Sequence, residues 1–269
     1  TNIKKLSDRN IAGSLAANAI LTTDTFPKEG FTSFKVDNKT AHMAGIAKGS
    51  GMIHPNMGTM LGFIVCDLNI SSELLDKALK EVTDKTFNMI TVDGDTSTND
   101  CVAIMCNGMA GNKKITQEDG DYQRFKKHLE KLCTHLAQMI VSDGEGSTKF
   151  IEYRVTNAPS DEAARQIART ISNSNLVKTA MFGRDPNWGR IIAAAGRSGV
   201  EFDPNKLDLF IGTNKTVQIL KDSQPTDHNR SSIKKQMKAS NIRIHLDMKQ
   251  GKGNATAWGS DFSYEYVRI

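Results

Sequence analysis

Apolar positions along the chain recur with two periods, helical in some stretches and strand-like in others. Ile11, Leu15 and Ala19 share a helical face, with Ser7 placed to cap a helix running to about Leu21. Thr22-Thr23-Asp24-Thr25 competes for backbone hydrogen bonds, and Pro27 blocks any continuation. Residues 31–37 and 40–46 predict a hairpin around Asp37-Asn38, and Met60 to Cys66 predicts a buried strand. Ser71, Ser72 and Glu73 open an amphipathic helix carrying Leu74, Leu75, Leu79 and Val82. Short strands are expected at 88–92 and 101–106, then a long helix over 121–141 with Phe125, Leu129, Leu132, Leu136 and Ile140 on one face. A strand at 149–155, a helix capped by Ser160, a strand at 176–181 and a helix to Ala195 follow. Further strands fall near 207–212, 215–220, 240–247 and 254–258. Helices and strands interleave with hairpin-like pairs, so the expected fold is mixed α/β (α+β) and not a pure βαβ series.

Size and charge narrow the classes. With 269 residues, 38% hydrophobic and 24% charged, the chain can bury a large core. The polar run near 142–149 is the expected boundary between a domain at 1–145 and another at 146–269. A net charge of +5 is mild, and no Lys/Arg block resembles a nucleic-acid arm. Arg230, Lys234, Lys235 and Lys238 read as the solvated face of a short helix. Cys66, Cys101, Cys106 and Cys133 lack CxxC spacing, so free thiols in a reducing cytoplasm are expected. No apolar run has the length of a membrane span, and no signal peptide is evident.

The chemistry-bearing stretch is KGSGMIHPNMGTMLGFIVCD, residues 48–67. A Gly-rich loop leads into a strand, and Thr59 stands at the junction directly after Gly58. A Thr freed as a new N-terminus can use its own α-amine to activate its hydroxyl. The plainer reading is a Gly-rich turn entering a core strand. Asp93, Asp95 and Asp100 invite a metal, but Thr98 and Ile104 stand where a calcium loop needs Gly and Glu. Carboxylates so clustered usually cap turns. Lys48-Gly49-Ser50-Gly51 could cradle a phosphate but lacks the P-loop order. Glu145 between two glycines reads as an exposed loop acid, and His128 and His135 as core or boundary histidines of the long helix.

The same 48–67 segment resembles the cleavage-site segment of the glutamate N-acetyltransferase/ornithine acetyltransferase family of arginine biosynthesis. ILTTDTFPK (20–28), ITVDGDTSTND (90–100), DGEGSTK (143–149), KTAMFGRDPNWGRI (178–191) and ATAWGSDFSYEYVRI (255–269) match in the family's order. The resemblance implies an αββα-type layered sandwich and a precursor that cleaves itself before a Thr, here between Gly58 and Thr59. Thr59 would then carry the acetyl group as nucleophile, with Thr22, Lys48, Thr59 and Glu145 contacting substrate. It implies acetyl transfer from N2-acetylornithine to glutamate, releasing ornithine. It implies no cofactor and no metal, with acetyl-CoA as a further donor in a bifunctional member. The expected assembly is an α2β2 association of the two cleavage products, without nucleic-acid or membrane partners.

The sequence departs from the family pattern at Gly58, where Ala is usual, and at Ser260, where Cys is common. The family's pair of oxyanion-hole threonines and its C-terminal Asn and Thr correspond to segments outside these 269 residues. Two other readings stay open on the residues: a self-processing N-terminal-nucleophile amidohydrolase or aminopeptidase, and a non-catalytic phosphate- or metabolite-binding domain on the Gly loop.

Overall fold

The structure, a computed structural model, describes residues 11–54, 60–227 and 230–269. It opens with helix α1 (Ala12–Ala19), within the expected stretch; the expected cap, Ser7, lies outside the described residues. β1 (Lys28–Val36) and β2 (Lys39–Lys48) then form an antiparallel hairpin with Val36 opposite Lys39. Its two turn residues, Asp37 and Asn38, have φ of 47° and 58°. That left-handed pair matches the twist of the strands it joins, which is why Asp-Asn works here.

β3 (Leu61–Cys66) pairs antiparallel with β2. α2 (Ser72–Lys85) is capped by Ser71, whose side chain accepts from the Leu74 amide. Residues 88–92, expected as a strand, begin as a 3₁₀ turn (Phe87–Met89) and leave only Ile90–Thr91 as β4. β5 (Cys101–Cys106) runs parallel to β3 and completes a four-stranded sheet of order β1-β2-β3-β5. α3 (Gly120–Ser142) lies across β1 and β2, burying Phe125, Leu129, Leu132, Leu136 and Ile140 as its periodicity predicts.

The second sheet uses β6 (Phe150–Ala158), β7 (Asp208–Gly212), β8 (Thr216–Lys221), β9 (Gln224–Pro225), β10 (Asn241–Asp247) and β11 (Gly253–Ser260). With β4 it has the order β4-β11-β6-β10-β7-β8-β9, mixing parallel and antiparallel neighbours. α4 (Asp161–Ser172), capped by Ser160, packs on β6 and β11. The mixed α/β architecture of helices layered on sheets is the expected one.

The strand expected at 176–181 does not form. Asn175–Phe182 is helix α5, because Ser174 caps the Val177 amide while Val177, Ala180 and Met181 form a buried helical stripe. α6 (Trp188–Gly196) follows, capped by Asn187, and α7 (Arg230–Gln236) is the expected short basic helix. A last helix, α8 (Tyr264–Arg268), was not legible; Ser263 starts it by accepting from the Glu265 amide. Among the described residues no helix is long and apolar enough to cross a membrane.

Leu136 is fully buried between α3 and the first sheet. Leu136→Ala is expected to cost about 2–5 kcal/mol through lost burial and the cavity left behind. Ser160→Ala should cost about 1 kcal/mol, the value of one helix cap. Denaturant titrations of the two variants should rank them in that order.

Candidate active site

Three loops meet on one buried ammonium. Lys28 opens β1 with a fully buried side chain, and its Nζ lies 2.6 Å from Asp24 Oδ1 and 2.5 Å from Asp143 Oδ2. Both carboxylates are filled by further donors. Asp24 accepts from the Gly49 amide at 2.7 Å and the Thr22 amide at 3.2 Å. Asp143, at the C-terminal end of α3, accepts from the Thr25 amide at 2.9 Å and from the Thr25 hydroxyl. The cluster thereby fixes the 22–28 segment, the Gly-rich loop after β2 and the loop after α3 against one another.

Hydrogen bonds extend the same clamp. Ser50 Oγ donates to the Asp143 carbonyl at 2.6 Å, and the Glu145 amide donates to the Ser50 carbonyl at 3.0 Å. Two glycines are required by this approach. Gly49 has φ of +150°, and a Cβ there would stand 2.9 Å from Ile53 Cδ1. A Cβ on Gly51 would collide with the Glu145 carboxylate. Asp93 holds the far end of the loop, accepting from the Met52 and Ile53 amides at 2.6 and 3.0 Å and from the Tyr266 hydroxyl at 3.3 Å.

Three of the expected substrate contacts therefore sit on this clamp. Lys48 is 8% exposed, and its ammonium pairs with no carboxylate among the described residues. Glu145 lies against Gly51 and likewise forms no ion pair among the described residues. Its surroundings replace the expected exposed loop acid with a half-buried one. Thr22 is exposed, with its amide on Asp24. Gly58 and Thr59 lie outside the described residues; His54 and Met60 stand on either side of that stretch. The Met60 amide donates to the Asp100 carboxylate.

Asp93 and Asp100 serve as acceptors for loop amides, the Asp95 amide donates to Asp93, and no cluster of three metal-binding side chains exists among the described residues. All four cysteines are free. His128 stacks on Phe34 with ring centroids 4.9 Å apart and shares a 2.8 Å hydrogen bond with Thr32 Oγ1, a boundary role.

Sequence reasoning missed the supports. Lys28 and Asp24 were in view inside TTDTFPK, four residues apart, but Asp143 is 115 residues from Lys28. It also missed Lys178, which is fully buried and donates to the Ser260 carbonyl at 2.5 Å. Burial lowers that amine to about 8, with Asp261 and Asp93 opposing the shift. Ser260 Oγ in turn donates to the Val92 carbonyl at 3.3 Å, next to Asp93. His54 is another such residue. Burial, and then the nearby Arg169 charge, lower its imidazole to about 4 and keep it neutral at pH 7.

The fold and the site define a mixed α/β protein whose loops set around a glycine-rich segment a carboxylate and an amine that has no carboxylate partner among the described residues. The chain belongs to the ArgJ family, whose model matches residues 1–269. It is similar to the arginine biosynthesis bifunctional protein ArgJ of Staphylococcus epidermidis, at 51% identity over 253 residues, covering 94% of this chain and 63% of that protein. The protein of the same name from Symbiobacterium thermophilum is 46% identical over 257 residues, covering 96% and 63%. This chain thus spans 63% of the length of those relatives. A crystal structure of the Bacillus halodurans arginine biosynthesis bifunctional protein argJ superposes with a TM-score of 0.75 at 45% identity, covering 78% of this chain and 98% of that one.

Removing the central ammonium should be costly, because two buried carboxylates then face each other. Lys28→Met is expected to destabilise the protein by about 3–5 kcal/mol in thermal or urea unfolding. Burial alone would raise the Asp24 carboxyl, but the Gly49 amide, Lys28 and the Thr22 amide outweigh it and hold it below the ordinary 3.8. Its stabilising contribution is then fully present above pH 3.8 and disappears as pH falls through the lowered value. Melting temperatures from pH 7 down to pH 2 should show Asp24→Asn to be less stable at neutral pH and less sensitive to acid than the parent.

Proposed function

We propose that this chain belongs to an acetyltransferase of arginine biosynthesis that moves acetyl from N2-acetylornithine to glutamate through an acetyl-Thr59 ester. The observation that carries this reading is that the Gly49–Gly51 loop, which follows Lys48 and leads in sequence to Thr59, is held to Asp24 and Asp143 and lies against the Glu145 carboxylate. Both substrates are α-amino acids or their N-acetyl forms. An uncompensated ammonium can meet the α-carboxylate, and a carboxylate can meet an ammonium.

The reaction is preceded by hydrolysis of the Gly58–Thr59 bond, in which one water supplies the hydroxyl of the new Gly58 carboxyl and the hydrogen of the new Thr59 amine. The freed α-amine, with an ordinary pKa of about 7.7–8.0, takes the proton of the Thr59 hydroxyl. Oγ attacks the acetyl carbonyl of acetylornithine, the amide C–N bond breaks, and ornithine leaves with the proton on its amine. The glutamate amine then attacks the ester, giving N-acetylglutamate and restoring the hydroxyl. No cofactor is required, and acetyl-CoA would serve as a second donor. Gly58 in place of Ala accepts strained backbone geometry at least as well.

The two products would assemble as α2β2, in a cytoplasmic setting.

Intact-mass spectra of the full-length protein and of Thr59→Ala test the proposal. The parent should give a split before Thr59 and, after incubation with acetylornithine, an acetyl increment on the fragment that begins with Thr59. Thr59→Ala should remain uncut. An uncut parent, or a cut one that releases acetate without ester or transfer to glutamate, would overturn the reading. Lys48→Ala should raise KM for acetylornithine by roughly tenfold or more, the cost of one charge-assisted contact, in initial-rate measurements.

A further inference from the structure

Two of the four free cysteines stand side by side. Cys66 ends β3 and Cys106 ends β5, and in the parallel pairing of these strands each is the other's direct neighbour. The register holds to the last residue, because the Asn107 amide, just past Cys106, donates to the Cys66 carbonyl at 3.1 Å. Neighbouring strands lie about 4.8 Å apart, so residues in register have Cα atoms within the roughly 4.4–6.8 Å that a disulfide spans. Residues paired in this way also send their side chains to the same face. For Cys66 that face is the one of Ile64, which is fully buried, so both thiols turn toward the core.

The other two thiols are placed differently. Cys101 opens β5 opposite Leu61, five residues before Cys106, and so faces the other side of the sheet, where it is exposed. Cys133 is fully buried in α3, and burial pushes its thiol up to about 12. Within the pair the two sulfurs are not equivalent. Cys66 is only 5% exposed, whereas Cys106 is half-buried and keeps part of its surface in solvent. The S–H of Cys106 lowers the Cys66 thiol below its ordinary 9, while that same contact, and then burial, raise Cys106. Cys66 is therefore the sulfur that gives up its proton first, and the two titrate as a pair.

We propose that Cys66 and Cys106 form a redox-sensitive dithiol, which a small-molecule disulfide such as oxidised glutathione converts reversibly into an intrachain disulfide. The exchange balances with one molecule of oxidant. Cys106, the more accessible sulfur, attacks one sulfur of glutathione disulfide; the S–S bond breaks, and one glutathione leaves, taking up the Cys106 proton. The Cys66 sulfur then attacks the Cys106 sulfur of the mixed disulfide, and the second glutathione leaves with the Cys66 proton. Two protein thiols thus lose two electrons and two protons, and one disulfide becomes two glutathione thiols. Both cysteines end their strands, so the closure that joins the sulfurs bends no residue inside the sheet. The bond would fasten β3 to β5 and close residues 67–105 into a loop. That loop contains α2 and Asp93, whose carboxylate takes the Met52 and Ile53 amides. The dithiol stands whether or not Thr59 carries an acetyl group.

Thiol mapping of the folded full-length protein tests the pair. Reduced protein is incubated anaerobically with mixtures of reduced and oxidised glutathione, then denatured, alkylated and digested for mass spectrometry. The parent should lose the alkylatable thiols of Cys66 and Cys106 together and yield one linked pair of peptides carrying both. Return to reduced glutathione should restore both thiols. Cys106→Ser should abolish the link, and Cys101→Ser, on the opposite face, should leave it intact. Cys66→Ser removes the resolving sulfur, so a glutathione adduct should persist on Cys106 in that variant. Thr59→Ala should link as the parent does, so that failure of the acetyl-transfer reading leaves this result untouched. The proposal is overturned if both thiols of the parent stay alkylatable at millimolar oxidised glutathione. It is equally overturned if the parent stops at a glutathione adduct on Cys106, or if the link runs to Cys101 or Cys133.

Discussion

The Lys28 ammonium, sealed between Asp24 and Asp143, is the contact from which the site's geometry descends. Two carboxylates and one amine leave an excess of one negative charge in a place without solvent. Backbone amides from Thr22, Thr25 and Gly49 and the Thr25 hydroxyl offset it. Burying ions costs several kcal/mol each, so such a cluster adds little net stability compared with a well-packed apolar one. Its benefit is directional. An apolar contact tolerates sliding, whereas a carboxylate that must receive the Gly49 amide and the Lys28 ammonium together fixes the loop to within a hydrogen bond's tolerance.

That precision depends on where α3 ends. Asp143 is the residue just past a 23-residue helix, so its position is set by how α3 seats on the hairpin. The seating is close: a Cβ on Gly30 would stand 2.5 Å from Leu132 Cδ1, and one on Gly45 would stand 3.0 Å from Leu136 Cδ1. Hydrophobic packing thus sets the coarse position of the helix end, and the ionic cluster converts it into the placement of Lys48 and Glu145. The C-terminal segment joins from the other side, where Ser263 Oγ donates to the Gly146 carbonyl at 2.5 Å and Tyr266 reaches Asp93.

What could be read from the sequence was what local chemistry decides. Asp37-Asn38 named its own turn, Ser71 and Ser160 named their helices, and the five-residue apolar stripe of α3 named its face. Residues 175–182 misled because a short apolar run has no reliable period, and the deciding signal was the Ser174 cap rather than Val177. For the site, resemblance pointed to Thr22, Lys48 and Glu145, but nothing in the chain order foretold the buried Lys28–Asp143 pair. Ion pairs between distant segments leave no periodic mark. The same is true of the Lys178–Ser260 contact.

The environments of Lys48 and Glu145 differ in a way that matters for the proposed transfer. Lys48 is buried near the base of the Gly loop and pairs with no carboxylate among the described residues, a setting in which an ammonium is poorly solvated. In the proposed transfer, a substrate carboxylate arriving there would replace lost hydration with a direct charge-assisted contact, which would make anchoring at that end strong and orienting. Glu145 is only half-buried, held by its backbone to Ser50 and by contact with Gly51, and so meets its partner in a wetter, better screened setting. A weaker grip at that end suits a cycle in which one amino acid must leave and another enter between two half-reactions. Under that proposal the carboxylate anchor would serve donor and acceptor alike, because it is the feature they share.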